Sequence, residues 1–108
     1  MEFTTEQRKV LQSALDEYGI RHQTDIAIEE MAELTKAIIK CRRENTEIVF
    51  DNLFEEIADV LIMLEQLRIH YGDIHISSIV RQKVDRLKKR VELDREIRYG
   101  GMNNDVRS

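Results

Sequence analysis

The spacing of apolar residues between Asn52 and Tyr71 constrains the fold more than any other feature of the chain. Their intervals of three and four residues are typical of one face of an α-helix, and the residues are Leu53, Ile57, Val60, Leu61, Leu64 and Leu67. Ala58, Ile62 and Met63 make much of the remaining circumference apolar as well. A helix that is apolar on so many sides has to be covered from more than one direction, and we expect part of it to pack against a second subunit.

Two segments with helical periodicity precede this one. A capping box that starts at Thr4 predicts a first helix, which ends at Gly19. Residues 20–23 are polar and are expected to form a linker. Thr24 or Asp25 would then cap a second amphipathic helix.

A loop and a fourth helix complete the pattern. The second helix is predicted to end near Arg43, and residues 44–51 break the period, so we expect a loop or irregular turn that packs through its apolar side chains. Asn52 would cap the third helix, and a fourth helix runs from about Ile76 to Leu93 or beyond. Short connections make consecutive helices antiparallel neighbours, so the sequence predicts an all-α, four-helix bundle-like fold.

The composition limits the domain count and the class of protein. The 108 residues suffice for one domain, predicted over residues 1–98, followed by a Gly- and Asn-rich tail over residues 99–108 that is flexible or ordered only by a partner. The single cysteine, Cys41, excludes an intrachain disulfide and fits a reducing, cytoplasmic setting. No apolar run approaches the roughly 20 residues of a bilayer crossing, and the N-terminus lacks a signal-peptide pattern, so we expect a soluble protein that does not associate with membranes.

The charge is unevenly distributed along the chain. The formal net charge of −4 argues against binding to a nucleic-acid polymer, although basic side chains are concentrated in residues 81–98. Lys83 and Arg86 lie about one turn apart on the predicted fourth helix. They either contact the phosphates of a ligand or belong to a solvated basic face that forms salt bridges.

Two similar pairs of carboxylates lie on the second and third helices. Glu30 with Glu33, and Glu56 with Asp59, are three residues apart, so each pair shares one helix surface beside an apolar face. Oxygen ligands without sulfur or imidazole suit a hard cation, which predicts a Mg²⁺ or Mn²⁺ site that relieves the repulsion; an ordinary exposed acidic face is the alternative. In antiparallel helices the two pairs would lie at opposite ends, unless the helices are long enough to overlap or another subunit contributes.

Glu30-x-x-Glu33 within IEEMAEL, followed by Glu56-x-x-Asp59 within FEEIADVL, resembles the paired motif of the MazG-like nucleotide pyrophosphohydrolases of the all-α NTP pyrophosphatase superfamily. The resemblance covers the second and third helices closely and the fourth loosely. It implies a dimeric or tetrameric enzyme that binds Mg²⁺ through these four carboxylates. Such an enzyme hydrolyses a nucleoside triphosphate to the monophosphate and pyrophosphate.

The resemblance also bears on the catalytic base and on related activities. Glu29 neighbours the metal-binding motif and is the candidate for orienting or deprotonating the attacking water. The related phosphoribosyl-ATP pyrophosphatases have similar acidic motifs and are an alternative assignment. A non-catalytic helical oligomer that serves as an interaction or regulatory module is an alternative of a different class. The short motifs do not encode the preferred nucleobase or sugar.

Overall fold

The computed structural model describes residues 2–100 and is all-helical over that range. The helices in chain order are α1 Thr5–Tyr18, α2 Ile20–Glu44, α3 Glu47–Tyr71 and α4 Asp73–Arg95. A single π-helical turn, Glu96–Gly100, follows α4. The predicted all-α class with four helices is therefore confirmed.

The first helix begins as the sequence predicts. The backbone N–H of Gln7 donates to the hydroxyl of Thr4 at 3.0 Å, and the backbone N–H of Thr4 donates to the Gln7 side chain at 2.9 Å. This reciprocal pair is a capping box, which satisfies two backbone donors that have no partner inside the helix.

The linker predicted over residues 20–23 is wrong, because α2 begins immediately after Gly19. This glycine has a φ of 85° and serves both as the C-cap of α1 and as the N-cap of α2. Glycine adopts positive φ without a steric penalty, so the chain ends one helix and starts the next at a single residue. Thr24 therefore caps nothing; its hydroxyl donates to the backbone carbonyls of Ile20 and Arg21 from inside the helix.

The loop predicted over residues 44–51 is also wrong, because only Asn45 and Thr46 separate α2 from α3. Asn45 has a φ of 48° and ends α2, whereas the hydroxyl of Thr46 accepts from the backbone N–H of Val49 and caps α3. The predicted packing of this segment is confirmed at Val49, which is buried, but is wrong at Ile48, which is 81% exposed. Asn52 lies inside α3 and is not its cap.

Residues 2–73 form the first of two compact units. The two-residue loop makes α2 and α3 an antiparallel hairpin, and α1 packs against both helices. α3 is therefore the central helix of this unit. Its buried apolar core consists of Leu11, Leu15, Ala27, Ala37, Val49, Val60 and Met63. The small side chains of Ala27 and Ala37 are each only 2% exposed, which allows α2 and α3 to approach closely.

The second unit contains α4 from residue 74 onward and the π-helical turn. None of the described residues of α4 is buried, and its apolar side chains, including Val80 and Leu87, lie on the surface of this unit. The single domain over residues 1–98 stays a prediction. Of the predicted tail, residues 99 and 100 lie in the π-helical turn and residues 101–108 lie outside the described range. No helix within residues 2–100 has the length and apolarity that a bilayer crossing requires.

Candidate metal site

The true ends of α2 and α3 place the predicted acidic motifs near the middle of each helix. Glu30 is residue 11 of the 25 in α2, and Glu56 and Asp59 are residues 10 and 13 of the 25 in α3. The middle sections of two antiparallel helices of equal length lie side by side. The overlap that the sequence left open is therefore provided within one chain.

Three carboxylates meet between the two helices. One oxygen each from Glu30, Glu56 and Asp59 lies within 4.8 Å of the other two. We refer to these three residues as the acid cluster. Glu30 and Glu56 are half-buried, whereas Asp59 is exposed, so the cluster lies at the edge of the helix interface and is open to solvent on one side.

The acid cluster has no ion-pair partner within the first unit. No Lys, Arg or His side chain of residues 2–73 forms an ion pair with any of its three members. Burial raises the pKa of Glu30 above its ordinary value, and the charges of Asp59 and Glu56 and a hydrogen bond with Asp59 raise this pKa further.

One oxygen of the acid cluster is a buried acceptor that no donor satisfies. Glu56 Oε2 is fully shielded and has no hydrogen-bond partner among the described residues. A buried carboxylate oxygen without a donor is unfavourable, because it has lost its hydration without replacement. A divalent cation would supply the missing interaction. The oxygen-only donors of the acid cluster therefore fit a hard ion such as Mg²⁺ or Mn²⁺.

The remaining predicted site residues lie outside the acid cluster. Glu33 is exposed and its carboxylate lies 3.6 Å from Lys36 Nζ, but its charge contributes to the raised pKa of Glu30. Glu29 is exposed on α2. Lys83 and Arg86 are exposed residues of α4, in the second unit. The functional roles of these four residues stay predictions.

A second group of carboxylates, which the sequence did not reveal, is fully paired with arginines. Glu65, whose side chain is 6% exposed, contacts Arg8 Nε at 3.3 Å and Arg68 Nη1 at 2.8 Å. Asp73 contacts Nη1 of Arg8 at 3.0 Å and Nη2 of Arg68 at 2.6 Å. We call these four residues the ion network. A hydrogen bond from Arg8 lowers the pKa of Asp73, and the charges of Arg68 and Arg8 add to this effect while desolvation opposes it.

The ion network adjoins a cavity of about 420 Å³ in the first unit. Phe3, Leu61 and Leu64 line the cavity together with Glu2 and the ion network. No member of the acid cluster lines it. The cavity and the candidate metal site are therefore separate features.

A buried pair of amides is another polar contact that the sequence did not reveal. Gln23 Nε2 donates to Gln66 Oε1 at 2.7 Å, and the two residues are 6% and 3% exposed. The spacing offers a faint signal: Gln23 precedes Glu30 by seven residues and Gln66 follows Asp59 by seven. Seven residues are two helical turns, which places each amide on the same side of its helix as the carboxylate.

Comparison of the chain with protein-family models, with curated proteins and with solved structures found no match.

Proposed function

We propose that the chain is a cytoplasmic, Mg²⁺-dependent nucleoside triphosphate pyrophosphohydrolase, of the kind that the resemblance to the MazG-like enzymes implies, and that the acid cluster is its metal site. The observation that carries the proposal is the meeting of three carboxylates within 4.8 Å without a paired cation among residues 2–73. The unsatisfied Glu56 Oε2 is a second, independent reason to expect a ligand there.

The electrostatic energy of the acid cluster supports a cation more strongly than a structural role. Two unit charges 4–5 Å apart repel by roughly 1 kcal/mol in water and by about 3–4 kcal/mol at the effective dielectric of a protein surface. Protonation of Glu30, whose pKa is raised, relieves part of this repulsion. A bound divalent cation attracts all three carboxylates, and this attraction outweighs the repulsion between them.

The carboxylates and their neighbours have distinct roles in the proposed reaction. The acid cluster holds Mg²⁺, or Mn²⁺ in its place, and Glu33 is the fourth carboxylate, one turn further along α2. When bound, the ion supplies positive charge that neutralises the phosphates of the substrate. Glu29 orients the attacking water or accepts its proton. Lys83 and Arg86 bind the phosphates through their positive charges.

The proposed enzyme also self-associates, as a dimer or tetramer, through an apolar surface on α3. Phe54, Ile57, Leu61 and Leu64 are 60%, 40%, 44% and 42% exposed and follow each other at intervals of three and four residues. We call them the exposed stripe. They lie about 80–160° around the helix from Glu56, so a partner on the stripe leaves the acid cluster accessible. Leu61→Glu is expected to reduce the mass measured by light scattering; an unchanged mass would count against this surface.

The reaction is tested by measuring pyrophosphate release from a panel of ribo- and deoxyribonucleoside triphosphates, with phosphoribosyl-ATP included. The 108-residue chain is compared with Glu56→Gln, which removes one charge from the acid cluster. Glu55→Gln is the matched control, because Glu55 is the same side chain one position earlier and is exposed outside the cluster. Mg²⁺ is present throughout, and a parallel series contains EDTA.

The proposal predicts release from one or a few members of the panel with the unchanged chain and with Glu55→Gln. Release is lost with Glu56→Gln and with EDTA. Release from phosphoribosyl-ATP alone would reassign the chain to that related activity. No release from any member, together with a melting temperature that Mg²⁺ leaves unchanged, would favour the non-catalytic helical module.

A further inference from the structure

The hydrogen bond between Gln23 and Gln66 is the only buried side-chain contact between polar groups of α2 and α3 within the described residues. Further contacts fix both amides. Gln66 Nε2 lies 3.5 Å from the sulfur of Met63, and Gln23 Oε1 lies 2.9 Å from His22 Nδ1, which donates when it carries the ring proton. The orientation of each amide is thus set on two sides.

The amide pair and the acid cluster belong to the same line of contact between the helices. Gln23 lies two turns before Glu30 on α2, and Gln66 lies two turns after Asp59 on α3. Because the helices are antiparallel, both amides are displaced from the cluster in the same direction, by about 10 Å. Ala27, which is 2% exposed, lies between Gln23 and Glu30 and keeps the helices close over this interval.

The acid cluster needs a contact of this kind, because its own charges act to separate the helices. Apolar packing opposes the separation, but the hydrophobic effect is non-directional and penalises a small rotation of a helix, or a small shift along it, only weakly. A buried amide hydrogen bond is directional, and a shift or rotation would leave polar atoms without partners in the interior. Buried polar residues are known to fix the register of paired helices in this way.

We propose that the Gln23–Gln66 hydrogen bond is a positioning contact that sets the separation of Glu30 from Glu56 and Asp59, and thereby adapts the site to a small divalent cation. This inference rests on the proposed metal site. Mg²⁺ requires nearly ideal octahedral geometry, whereas the larger Ca²⁺ accepts flexible and irregular ligand sets. A loosened acid cluster therefore loses affinity for Mg²⁺ more than it loses affinity for Ca²⁺.

The test measures the Kd of Mg²⁺ and of Ca²⁺ by calorimetry on the 108-residue chain and on the double variant Gln23→Leu/Gln66→Leu. Replacing both amides avoids an unpaired buried polar group, so the double variant is expected to stay folded. We expect its affinity for Mg²⁺ to fall about tenfold, as is typical when a group that supports a metal ligand is removed. The affinity for Ca²⁺ falls less, so the preference for Mg²⁺ over Ca²⁺ declines.

Two further variants separate positioning from general stability. Leu11→Ala destabilises the core from α1 and leaves both glutamines in place, so it should leave the ratio of the two affinities unchanged. Gln66→Asn retains an amide on a side chain that is shorter by one methylene group. It serves as the test if the double variant does not fold, and we expect the same decline in the preference for Mg²⁺ over Ca²⁺.

If the folded amide variants keep the ratio of Mg²⁺ affinity to Ca²⁺ affinity of the unchanged chain, the positioning role is wrong, whereas the proposed metal site still stands. A decline of the same size in Leu11→Ala would also overturn it. If the unchanged chain binds no Mg²⁺, the proposed metal site fails and the positioning role fails with it.

Discussion

Helix α3 contributes to two groups of carboxylates whose surroundings are opposite in charge. In the ion network, each of two carboxylates contacts two arginines, at distances between 2.6 and 3.3 Å. In the acid cluster, three carboxylates lie within 4.8 Å of one another, and no cation pairs with them among residues 2–73. Glu56 and Glu65 are only nine residues apart, which is about 13 Å along the helix.

The ion network shows how this chain neutralises a buried carboxylate that has a structural role. The ion network joins α1 to the C-terminal end of α3 and satisfies Glu65, which is almost fully buried. The same fold could neutralise the acid cluster with a nearby arginine or lysine, as it neutralises Glu65 with two arginines. The absence of such a partner among residues 2–73 is the reason to look for a cation that this unit does not itself supply.

Replacing one carboxylate of the acid cluster with a positively charged side chain should abolish the proposed activity. Asp59→Lys places an ammonium group beside Glu30 and Glu56. We expect pyrophosphate release to fall more than about 100-fold, because losing a ligand exceeds the 10- to 100-fold loss typical of groups that only support ligands. The unfolding temperature without Mg²⁺ should be maintained or rise. Retained turnover in this variant would contradict the assignment of the metal site.

Removing a charge from the ion network should lower the stability of the fold and leave pyrophosphate release unchanged. Glu65→Gln removes one of the two carboxylate charges that Arg8 and Arg68 contact. We expect the free energy of unfolding to fall by about 2 kcal/mol. This loss is smaller than that for a fully buried ion pair, because both arginines are partly exposed. Urea unfolding measures this loss. Glu6→Gln, at an exposed ion pair with Lys9, is the control and should change stability by less than about 0.5 kcal/mol.

The two regions should also respond oppositely to pH in the absence of metal. The pKa of Glu30 is raised above its ordinary value of 4.5, so its charge opposes folding and stability is lost as the pH rises through that raised pKa. Glu30→Gln should therefore be more stable than the unchanged chain at pH 7 and lose this advantage below pH 4.5.

The pKa of Asp73 is lowered below its ordinary value of 3.8, so its contribution to stability is present above pH 3.8 and is lost as the pH falls through the lowered pKa. Asp73→Asn should therefore be less stable than the unchanged chain at pH 7 and approach it in strong acid. Urea unfolding in EDTA across this range measures both variants. Parallel pH dependences for the two variants would mean that the regions do not differ electrostatically as described.

The smallest effect is expected at Glu33, the predicted ligand that lies outside the acid cluster. Its carboxylate is exposed and pairs with Lys36, so Glu33→Gln should weaken Mg²⁺ binding several-fold and leave the fold unchanged. Calorimetry measures the affinity. A loss as large as that of Glu56→Gln would show that Glu33 joins the acid cluster when metal binds.

The sequence predicted the helices better than their ends. Apolar periodicity identified four helices, and the Thr4 capping box is present as predicted. The start of α2 was missed because Gly19 ends one helix and begins the next within one residue, whereas Thr24 looked like a cap. The start of α3 was missed because Asn52 is a residue type that often caps helices, whereas the helix begins after Thr46, whose hydroxyl accepts from the backbone N–H of Val49.

The residues of the acid cluster were predictable by type, but their meeting was not. It depends on the lengths of α2 and α3 and on how each is rotated about its axis, which local spacing does not determine. The Gln23–Gln66 pair joins residues 43 positions apart, and the ion network includes a contact between residues 65 positions apart, so the local spacing of Gln23, Gln66, Glu65 and Arg68 does not predict these contacts. Buried glutamine and paired arginine resemble surface residues when read in sequence alone.

The most direct test of the central claim is thermal unfolding of the unchanged chain, Glu56→Gln and Glu55→Gln, each with Mg²⁺ and with EDTA. A cation bound only to the folded state stabilises it by about 2.7 kcal/mol at 100 times Kd. We therefore predict that Mg²⁺ raises the melting temperature of the unchanged chain and of Glu55→Gln by several degrees. Glu56→Gln should melt at one temperature in both conditions. An equal response to Mg²⁺ in all three proteins, or no response in any of them, would contradict the claim that the acid cluster is a metal site.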